Sequence, residues 1–176
     1  KLIAETDHLT GLLNRQTLDK LSELQFQLAI GYRQPLALVI MDLDHFKAIN
    51  DTHGHLVGDE CLIFVASFLR GYKLRKRDII ARFGGEELVI LLADTNLAMA
   101  TKITQDLCDS LAKTPVTGDH PDITLTASFG IAERISSRAQ SVHQLIGFAD
   151  QALYQAKRHG RNRVEAYNPS GPEAEV

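Results

Sequence analysis

The stretch "RFGGEELVILL" (residues 82–92) decides how the middle of this chain folds, because two glycines and two adjacent glutamates precede an apolar run. The preceding residues 78–83 are also largely apolar. Gly84 and Gly85 therefore predict a hairpin with a two-residue turn and positive φ. Acidic pairs in exposed turns are common, but a pair held between two hydrophobic strands indicates that a positively charged group meets it there.

The segments around this hairpin predict the rest of the fold. The uniformly apolar "LALVIM" (36–41) predicts a central strand covered on both faces, and further strands are predicted at 122–132 and in "RVEAY" (163–167). Helices are predicted over 14–34, 45–54, 58–72, 96–113 and 141–158. This order predicts an α+β fold, an α/β sandwich in which helices surround a mostly antiparallel five-stranded sheet.

Spacing and end signals support two of these helices. Leu18, Leu21, Leu24 and Leu28 recur at helical spacing in the first helix, and Pro35 ends it. Gly160 follows the last helix and can adopt the left-handed conformation that commonly ends one.

Composition indicates one globular domain that needs no disulfide bond or structural metal to be stable. The chain has 176 residues, 44% hydrophobic and 23% charged, with a net charge of −3. Cys61 and Cys108 lie in apolar helical contexts, which predicts reduced core thiols and a cytoplasmic location. The basic stretches 73–78 and 157–163 lack aromatics for stacking on bases, so we expect no nucleic-acid groove. The longest apolar runs are too short to span a bilayer, so no membrane contact is expected.

The stretch "MDLDHFK" (41–47) leaves the first central strand and enters a helix. Asp42 is thereby predicted at the end of the strand. If the hairpin pairs beside this strand, Asp42 faces Glu86 across neighbouring strands. Carboxylates about 4 Å apart repel by roughly 4 kcal/mol at an effective dielectric near 20. A hard divalent cation, Mg²⁺ or Mn²⁺, removes that repulsion, and Mg²⁺ usually combines few protein ligands with phosphate oxygens. Lys47 and the N–H groups at the helix start would hold such phosphates.

The acidic turn, the stretch after the first central strand and the nearby histidines each have an alternative interpretation. A solvated acidic pair is the ordinary role of such a turn taken alone. A calcium loop is rejected, because Phe46 and Lys47 stand where that loop requires other residues. His45, His53 and His55 cluster in sequence, but no accompanying framework supports zinc.

Four stretches together resemble the GGDEF family of diguanylate cyclases. They are "DHLTGLLNR" (7–15), "MDLDHFKAINDTHGHLVGDE" (41–60), "ARFGGEEL" (81–88) and "ADQALYQAKRHGRNRV" (149–164). The resemblance runs from residue 7 to about 167 and implies a fold similar to the palm of adenylyl cyclases and polymerases. The signature departs from the usual one at Leu88, which replaces Phe and should point into the core.

The resemblance also implies an activity, the Mg²⁺-dependent condensation of two GTP to cyclic di-GMP and two pyrophosphates. The implied metal ligands are Asp42, the Leu43 carbonyl, Glu86 and Glu87. Glu86, Glu87 and Lys47 are the implied catalytic residues, with Glu87 either holding a second metal or helping to deprotonate the attacking hydroxyl. The implied substrate-binding residues are His45, Phe46, Lys47, Asn50, Asp59, Lys157 and Arg161. Among these, Asn50 and Asp59 would bind guanine, because a carboxylate accepts from its N1–H and N2–H groups.

Each implied role has a plainer alternative. Asp59 could cap a helix beginning near residue 60, and Asn50 could be an ordinary polar helix residue. Lys157 and Arg161 could merely complement the C-terminus of the last helix. The fixed register of these residues with the acidic motif favours the functional roles.

The stretch "RKRD" (75–78) resembles the family's product-inhibition site. Arg75 would bind phosphate or guanine edges of cyclic di-GMP, and Asp78 would bind guanine. Some relatives add an arginine from the helix after the hairpin, where this chain offers only Lys102 and Lys113. The alternative is a basic turn with solvated charges.

The resemblance implies further partners and boundaries. One guanine site per chain implies a homodimer in which each subunit supplies one GTP. Residues 1–6 are expected to end an upstream linker helix leading from a regulatory domain, residues 7–167 to form the cyclase domain, and residues 168–176 to be a disordered tail. Competing hypotheses are a receptor that only binds cyclic di-GMP at Arg75 and Asp78, and a cyclase making another nucleotide product.

Overall fold

The five predicted strands form one sheet. The computed structural model describes residues 4–72 and 74–170. Its strands are β1 (Leu36–Leu43), β2 (Ile79–Gly84), β3 (Glu87–Ala93), β4 (Ala127–Glu133) and β5 (Arg163–Ala166). They lie in the order β2-β3-β1-β4-β5, and only the β4–β5 pair is parallel. The predicted α+β class and the mostly antiparallel five-stranded sheet are confirmed.

Helices cover both faces of this sheet. They are α1 (Arg15–Gly31), α2 (Phe46–His53), α3 (His55–Gly71), α4 (Leu97–Leu111), α5 (Arg134–Ser137) and α6 (Val142–Arg158). Side chains of α3 and α4 pack in one core cluster, and those of α1 and α6 pack in a second. The short α5 was not predicted. Its start is held by Glu133, whose carboxylate accepts from the backbone N–H groups of Ile135 and Ser136 at 2.8 Å each.

Strand β1 is the centre of the molecule because both of its faces are buried. Ala37, Val39 and Met41 contribute to one core cluster, while Leu38 and Ile40 contribute to the other. This alternation explains why the segment is apolar at every position. The strand is therefore a rigid base for the residues at its end.

The first helix forms as predicted, but of its leucine pattern only Leu18 is fully buried. Leu24 and Leu28 are 54% and 42% exposed. The buried residues of α1 are Leu18, Ser22, Phe26 and Ala29. Phe26, the one aromatic residue of the helix, therefore packs against the sheet together with Leu18 and the small residues Ser22 and Ala29, whereas the spacing had indicated a row of leucines.

The hairpin turn lies one residue later than predicted. Gly84 remains in the ladder opposite Glu87, with an irregularity between Arg82 and Gly84. The turn is therefore Gly85 and Glu86, and of the two glycines only Gly85 has positive φ, at 46°. A bulge of this kind inserts one extra residue and shifts the register beyond it.

Three smaller predictions can be compared with the structure. Cys61 and Cys108 are free and buried, as expected. Leu88 is 1% exposed and packs in the core, which confirms its predicted orientation. Residues 1–3 and 171–176 lie outside the described residues, and the described Ala4–Thr6 segment is not helical. Within the described residues, no helix has the length and apolar character needed to cross a bilayer.

Helix α6 lies so close to β4 that no side chain fits between them at Gly130. A Cβ atom there would lie 2.1 Å from the Ala149 carbonyl oxygen and 2.3 Å from the Leu153 nitrogen. Both are backbone atoms of α6, so a rotamer change cannot relieve the contact. By contrast, a Cβ at Gly147 on the same helix meets nothing within 4 Å.

We predict that Gly130→Ala destabilises the fold by about 3 kcal/mol, because α6 must move away from the sheet. Gly147→Ala should stabilise it by up to about 1 kcal/mol through helix propensity. Urea unfolding measures both changes. Equal midpoints for the two variants would contradict the close packing described here.

Candidate active site

Acidic side chains meet where β1 ends beside the hairpin. Asp42 pairs with Glu87 on β3 and with Ser128 on β4. The expected pairing of Asp42 with Glu86 is wrong by one residue, because the β1–β3 ladder continues without a register shift to the Asp42–Glu87 pair. Glu86 still contacts this strand end, since its carbonyl oxygen accepts from the Leu43 N–H at 3.4 Å. The two glutamates of the turn thus flank the end of β1.

The local charges act on one another. Burial raises the pKa of Asp42, and the charges of Glu86 and Asp44 raise it further. Burial likewise raises the pKa of Glu87, with an additional contribution from Asp42. Asp42 and Glu87 are therefore both harder to ionise than free carboxyl groups, so this end of the sheet favours a cation.

Lys157 supplies one positive charge at this position. Its ammonium donates to Asp42 Oδ2 at 3.0 Å and opposes the rise in the pKa of Asp42. Lys157 lies in the last turn of α6, which packs beside β1 and β4. A residue expected to bind phosphate is thus placed against the expected metal ligand.

The donor set fits a hard divalent cation. Asp42, Glu86 and Glu87 offer carboxylate oxygens, and a lysine ammonium already neutralises one of them. Among the described residues, no three His, Cys, Asp or Glu side chains form a ready metal cage. Mg²⁺ commonly uses one or two carboxylates and completes its shell with water and phosphate oxygens, which matches this arrangement.

Helix α2 begins directly after the acidic strand end. His45 precedes it in the left-handed conformation, with φ of 54°, and makes no side-chain capping bond. Lys47 is exposed in the first turn, and Phe46 is half-buried. The first N–H groups of a helix lack partners within it. The predicted phosphate cradle of His45, Phe46 and Lys47 therefore lies next to Asp42 in the chain.

The two expected guanine-binding residues lie on adjoining helices. Helix α3 begins at His55, so Asp59 is in its second turn and does not cap it. Asn50 lies near the end of α2, beside Gly58. A Cβ at Gly58 would be 1.8 Å from Asn50 Oδ1. Gly58 was not among the predicted site residues. A glycine inside a helix lowers stability by about 1 kcal/mol relative to alanine, so its presence indicates a close packing contact.

The turn after α6 brings Arg161 to the same end of the sheet. Gly160, Arg161 and Asn162 all have positive φ, at 116°, 64° and 44°. The Asn162 N–H donates to Asp44 Oδ2 at 2.9 Å. Arg161 is exposed. Asp44, which the sequence analysis did not single out, thus connects the end of β1 with this turn.

A second missed contact joins the N-terminal motif to the hairpin. Arg82 donates to both oxygens of Asp7 at 3.2 Å and to the Gly85 carbonyl at 3.0 and 2.9 Å. Burial acts to raise the pKa of Asp7, but hydrogen bonds from Thr10 and the Arg82 charge hold it below its usual value. The hairpin turn is therefore braced against residues at the start of the domain. Both residues lie within quoted motifs, but their separation of 75 positions gave no local signal.

Arg75 and Asp78 lie at the other end of the hairpin. The Asp78 side chain is 2% exposed, and it accepts from the N–H groups of Arg75 at 2.8 Å and Ala93 at 3.2 Å. The Arg75 guanidinium contacts the Ala93 carbonyl and Thr95 Oγ1. The length of β2 separates this pair from the acidic turn by roughly 20 Å. Asp78 thus holds the loop, and the partly exposed Arg75 is the more accessible member.

Comparison of the chain with known protein families identifies the family of this domain. The family "Diguanylate cyclase, GGDEF domain" matches residues 4–163. This chain belongs to the GGDEF family. It is 42% identical over 164 residues to diguanylate cyclase DgcP of Pseudomonas aeruginosa, covering 92% of this chain and 24% of that protein. It is 37% identical to the probable diguanylate cyclase DgcT of Escherichia coli, covering 93% of this chain and 36% of that protein.

Solved structures of the family share the fold of this GGDEF domain. The GGDEF domain of DgcB from Caulobacter crescentus, in complex with c-di-GMP, matches with a TM-score of 0.87 at 32% identity. That match covers 95% of this chain and 98% of the DgcB domain. The active GGEEF domain of a diguanylate cyclase from Vibrio cholerae matches with a TM-score of 0.81 at 32% identity, covering 90% and 99% of the two chains. The chain spans about a quarter to two fifths of the length of the curated relatives it matches.

We predict that Gly58→Ala displaces the Asn50 amide while the domain stays folded, because the new methyl group needs the same space. If Asn50 contacts guanine, as proposed below, GTP binding should then weaken about tenfold or more. Gly71→Ala is the matched control, since a Cβ there meets nothing within 4 Å in the same helix α3. Calorimetric titration with GTP and Mg²⁺ measures the affinities. Unchanged affinity in a folded Gly58→Ala variant would show that Asn50 does not bind the nucleotide.

Proposed function

We propose that this domain is a diguanylate cyclase that condenses two GTP into cyclic di-GMP and two pyrophosphates. The observation that carries this proposal is the convergence of Asp42, Glu86 and Glu87 with Lys157 at the end of β1. The same end of the sheet carries the start of α2 and the Arg161 turn. Names of the relatives, including DgcP and DgcT, support the same activity.

Asp42, the Leu43 carbonyl, Glu86 and Glu87 would hold Mg²⁺ or Mn²⁺. The ion supplies charge neutralisation on the phosphates and a lower pKa for the attacking hydroxyl. Lys157 now neutralises Asp42 at 3.0 Å, and its ammonium becomes available to a triphosphate when Asp42 binds another cation. One lysine would thus pair with Asp42 and, when a metal ion takes its place there, bind the substrate phosphates.

Substrate phosphates would bind at the start of α2. The backbone N–H groups of His45 and Phe46 give the N-terminus of α2 a partial positive charge, and the Lys47 ammonium adds a full positive charge. Lys157 and Arg161 approach from the end of α6 and the turn after it. Positive groups from two separate elements then enclose the β- and γ-phosphates.

Guanine would bind between α2 and α3. Asp59 accepts from guanine N1–H and N2–H, which adenine lacks, and the Asn50 amide offers both a donor and an acceptor. Gly58 sets the position of Asn50 through the close contact between the helices. These residues favour GTP over ATP and so favour cyclic di-GMP over other products.

The reaction requires two copies of the domain. The 3′-oxygen of one GTP bonds to the α-phosphorus of the other, its proton leaves, and the bond from that phosphorus to pyrophosphate breaks. The 3′-oxygen of the second nucleotide then bonds to the α-phosphorus of the first in the same way, its proton leaves, a second pyrophosphate departs, and the ring closes. Each chain offers one guanine site, so we propose a homodimer with one GTP in each subunit. Glu87 either assists removal of the proton or holds a second metal ion.

We predict that turnover at low protein concentration rises with the square of concentration, because only dimers react. Glu86→Ala should lower the rate about 100-fold or more through lost charge stabilisation. Glu23→Ala, an exposed position on α1, is the control and should retain full activity. Chromatography of the nucleotide products measures the rates. A wild-type dimer that makes no cyclic di-GMP, or a Glu86→Ala variant as active as wild type, refutes the proposal.

A product-binding role for Arg75 and Asp78 is also proposed. The exposed part of Arg75 supports it, whereas the buried Asp78 would have to exchange its backbone hydrogen bonds for guanine. A site roughly 20 Å from the acidic turn would inhibit catalysis indirectly, by restraining the subunits or the hairpin. Binding of cyclic di-GMP at this site without GTP turnover would favour a receptor function instead.

We predict that Arg75→Ala raises the concentration of cyclic di-GMP needed for half-inhibition about tenfold, through loss of a charge-assisted contact. Arg77→Ala is the matched control, because Arg77 is exposed and its guanidinium forms a surface ion pair with Asp94 at 3.7 Å. Steady-state rates at varied product concentration measure inhibition, and thermal unfolding checks that both variants remain folded. Equal inhibition of both variants and wild type would remove Arg75 from the site.

A further inference from the structure

Asp44 is a buried carboxylate with no role in the function proposed above. Its exposed fraction is 5%. Oδ2 accepts from Thr126 Oγ1 at 2.8 Å and from the Asn162 N–H at 2.9 Å, and Oδ1 accepts from Ser128 Oγ at 2.6 Å. Within the described ranges 4–72 and 74–170, no ion pair reaches it. Three neutral donors therefore balance its charge.

These contacts join parts of the chain that are far apart in sequence. Asp44 follows the end of β1, Thr126 and Ser128 lie at the start of β4, and Asn162 lies 118 residues away after α6. The Asp44 N–H also donates to the Thr126 carbonyl at 2.9 Å. One side chain thus ties the metal-binding end of β1 to the turn that carries Arg161.

That turn needs an external restraint. Arg161 and Asn162 are consecutive non-glycine residues with positive φ, a conformation that costs roughly 1–2 kcal/mol for each L-residue. The hydrogen bond from the Asn162 N–H to a buried carboxylate is charge-assisted and so is stronger than a neutral one. Two further bonds fix the Asp44 carboxylate in turn. The left-handed turn is therefore held from the β1 side.

We propose that Asp44 is a positioning residue that fixes the Arg161–Asn162 turn, and thereby places Arg161 where it contacts the triphosphate. This inference rests on the proposed function of Arg161. Asp44 itself touches no substrate. Its contribution is to set the distance between the acidic end of β1 and a cationic side chain on another element.

The conservative variant separates hydrogen bonding from charge. In Asp44→Asn, the amide oxygen can occupy the Oδ2 position and accept from Asn162 and Thr126, while the amide nitrogen donates to the Ser128 hydroxyl, which can rotate to accept. Asp44→Ala removes every one of these bonds. The turn should therefore keep its position in Asp44→Asn and lose it in Asp44→Ala.

Calorimetry with 3′-deoxy-GTP and Mg²⁺ measures binding without turnover, because this nucleotide lacks the attacking hydroxyl. We expect Asp44→Ala and Arg161→Ala each to weaken binding about tenfold, and the double variant to be no weaker than Arg161→Ala. Asp44→Asn should stay within about threefold of wild type. Ser128→Ala removes one bond to Asp44 but keeps the bond from the Asn162 N–H to Asp44, so it should weaken binding by less than about threefold.

The Asn162 amide proton provides a readout that needs no nucleotide. Its NMR resonance and hydrogen-exchange protection should match wild type in Asp44→Asn and change in Asp44→Ala, with exchange at least tenfold faster. Should Asp44→Ala prove insoluble, Asp44→Ser serves in both measurements, because its shorter side chain leaves at least one donor unpaired.

The outcomes are distinguishable. Wild-type protein that fails to bind 3′-deoxy-GTP refutes the proposed function, and the Asn162 amide still decides whether Asp44 holds the turn. An Asn162 amide that is unchanged in Asp44→Ala overturns the positioning role. Additive losses in the double variant, or a Ser128→Ala variant as weak as Asp44→Ala, overturn the link to Arg161 in favour of a general effect on stability.

Discussion

The concentration of negative charge where β1 meets the hairpin is the constraint on which the site depends. Asp42 and Glu87 are paired across the strands, and burial and the charges of neighbouring carboxylates raise the pKa of both. Two buried aspartates at this point are balanced in different ways. Asp44 has three neutral donors in fixed positions, whereas Asp42 has the ammonium of one flexible lysine. Asp44 is therefore suited to hold the structure, and Asp42 to exchange its partner.

The sequence predicted which segments form strands and helices because their patterns are strong and local. The register of the hairpin is a different kind of quantity. The bulge between Arg82 and Gly84 keeps Gly84 in the ladder and moves the turn to Gly85 and Glu86. A shift of one residue reverses which side chains share a face. The residue opposite Asp42 is set separately, by the uninterrupted β1–β3 ladder that ends with the Asp42–Glu87 pair. No residue type in "RFGGEEL" reveals the bulge.

Burial of polar groups was the least predictable feature, because it depends on contacts between distant segments. Asp78 appears in a basic, polar stretch, yet its side chain is almost fully enclosed by backbone donors. Asp44 and Asp42 are separated by one residue and look alike in sequence, although their partners differ completely. On α1, Leu24 and Leu28 follow helical spacing but face solvent, since Phe26 fills the space against the sheet. Periodicity gives the helix, but the surrounding surface selects its buried face.

Single polar or steric contacts position the remaining parts of the site on this rigid strand. Arg82 braces the turn against Asp7, Gly58 sets Asn50, and Asp44 fixes the turn after α6. Lys157 differs from these contacts because its partner can change. Under the proposed function, a triphosphate that arrives with a divalent cation would bring both an ion for Asp42 and an anion for Lys157. The two exchanges compensate each other, so binding leaves neither a carboxylate nor an ammonium without a partner in a partly buried site. A nucleotide without the cation would offer only half of this exchange, so under the proposed function the ion pair between Lys157 and Asp42 would favour the metal-bound form of the substrate.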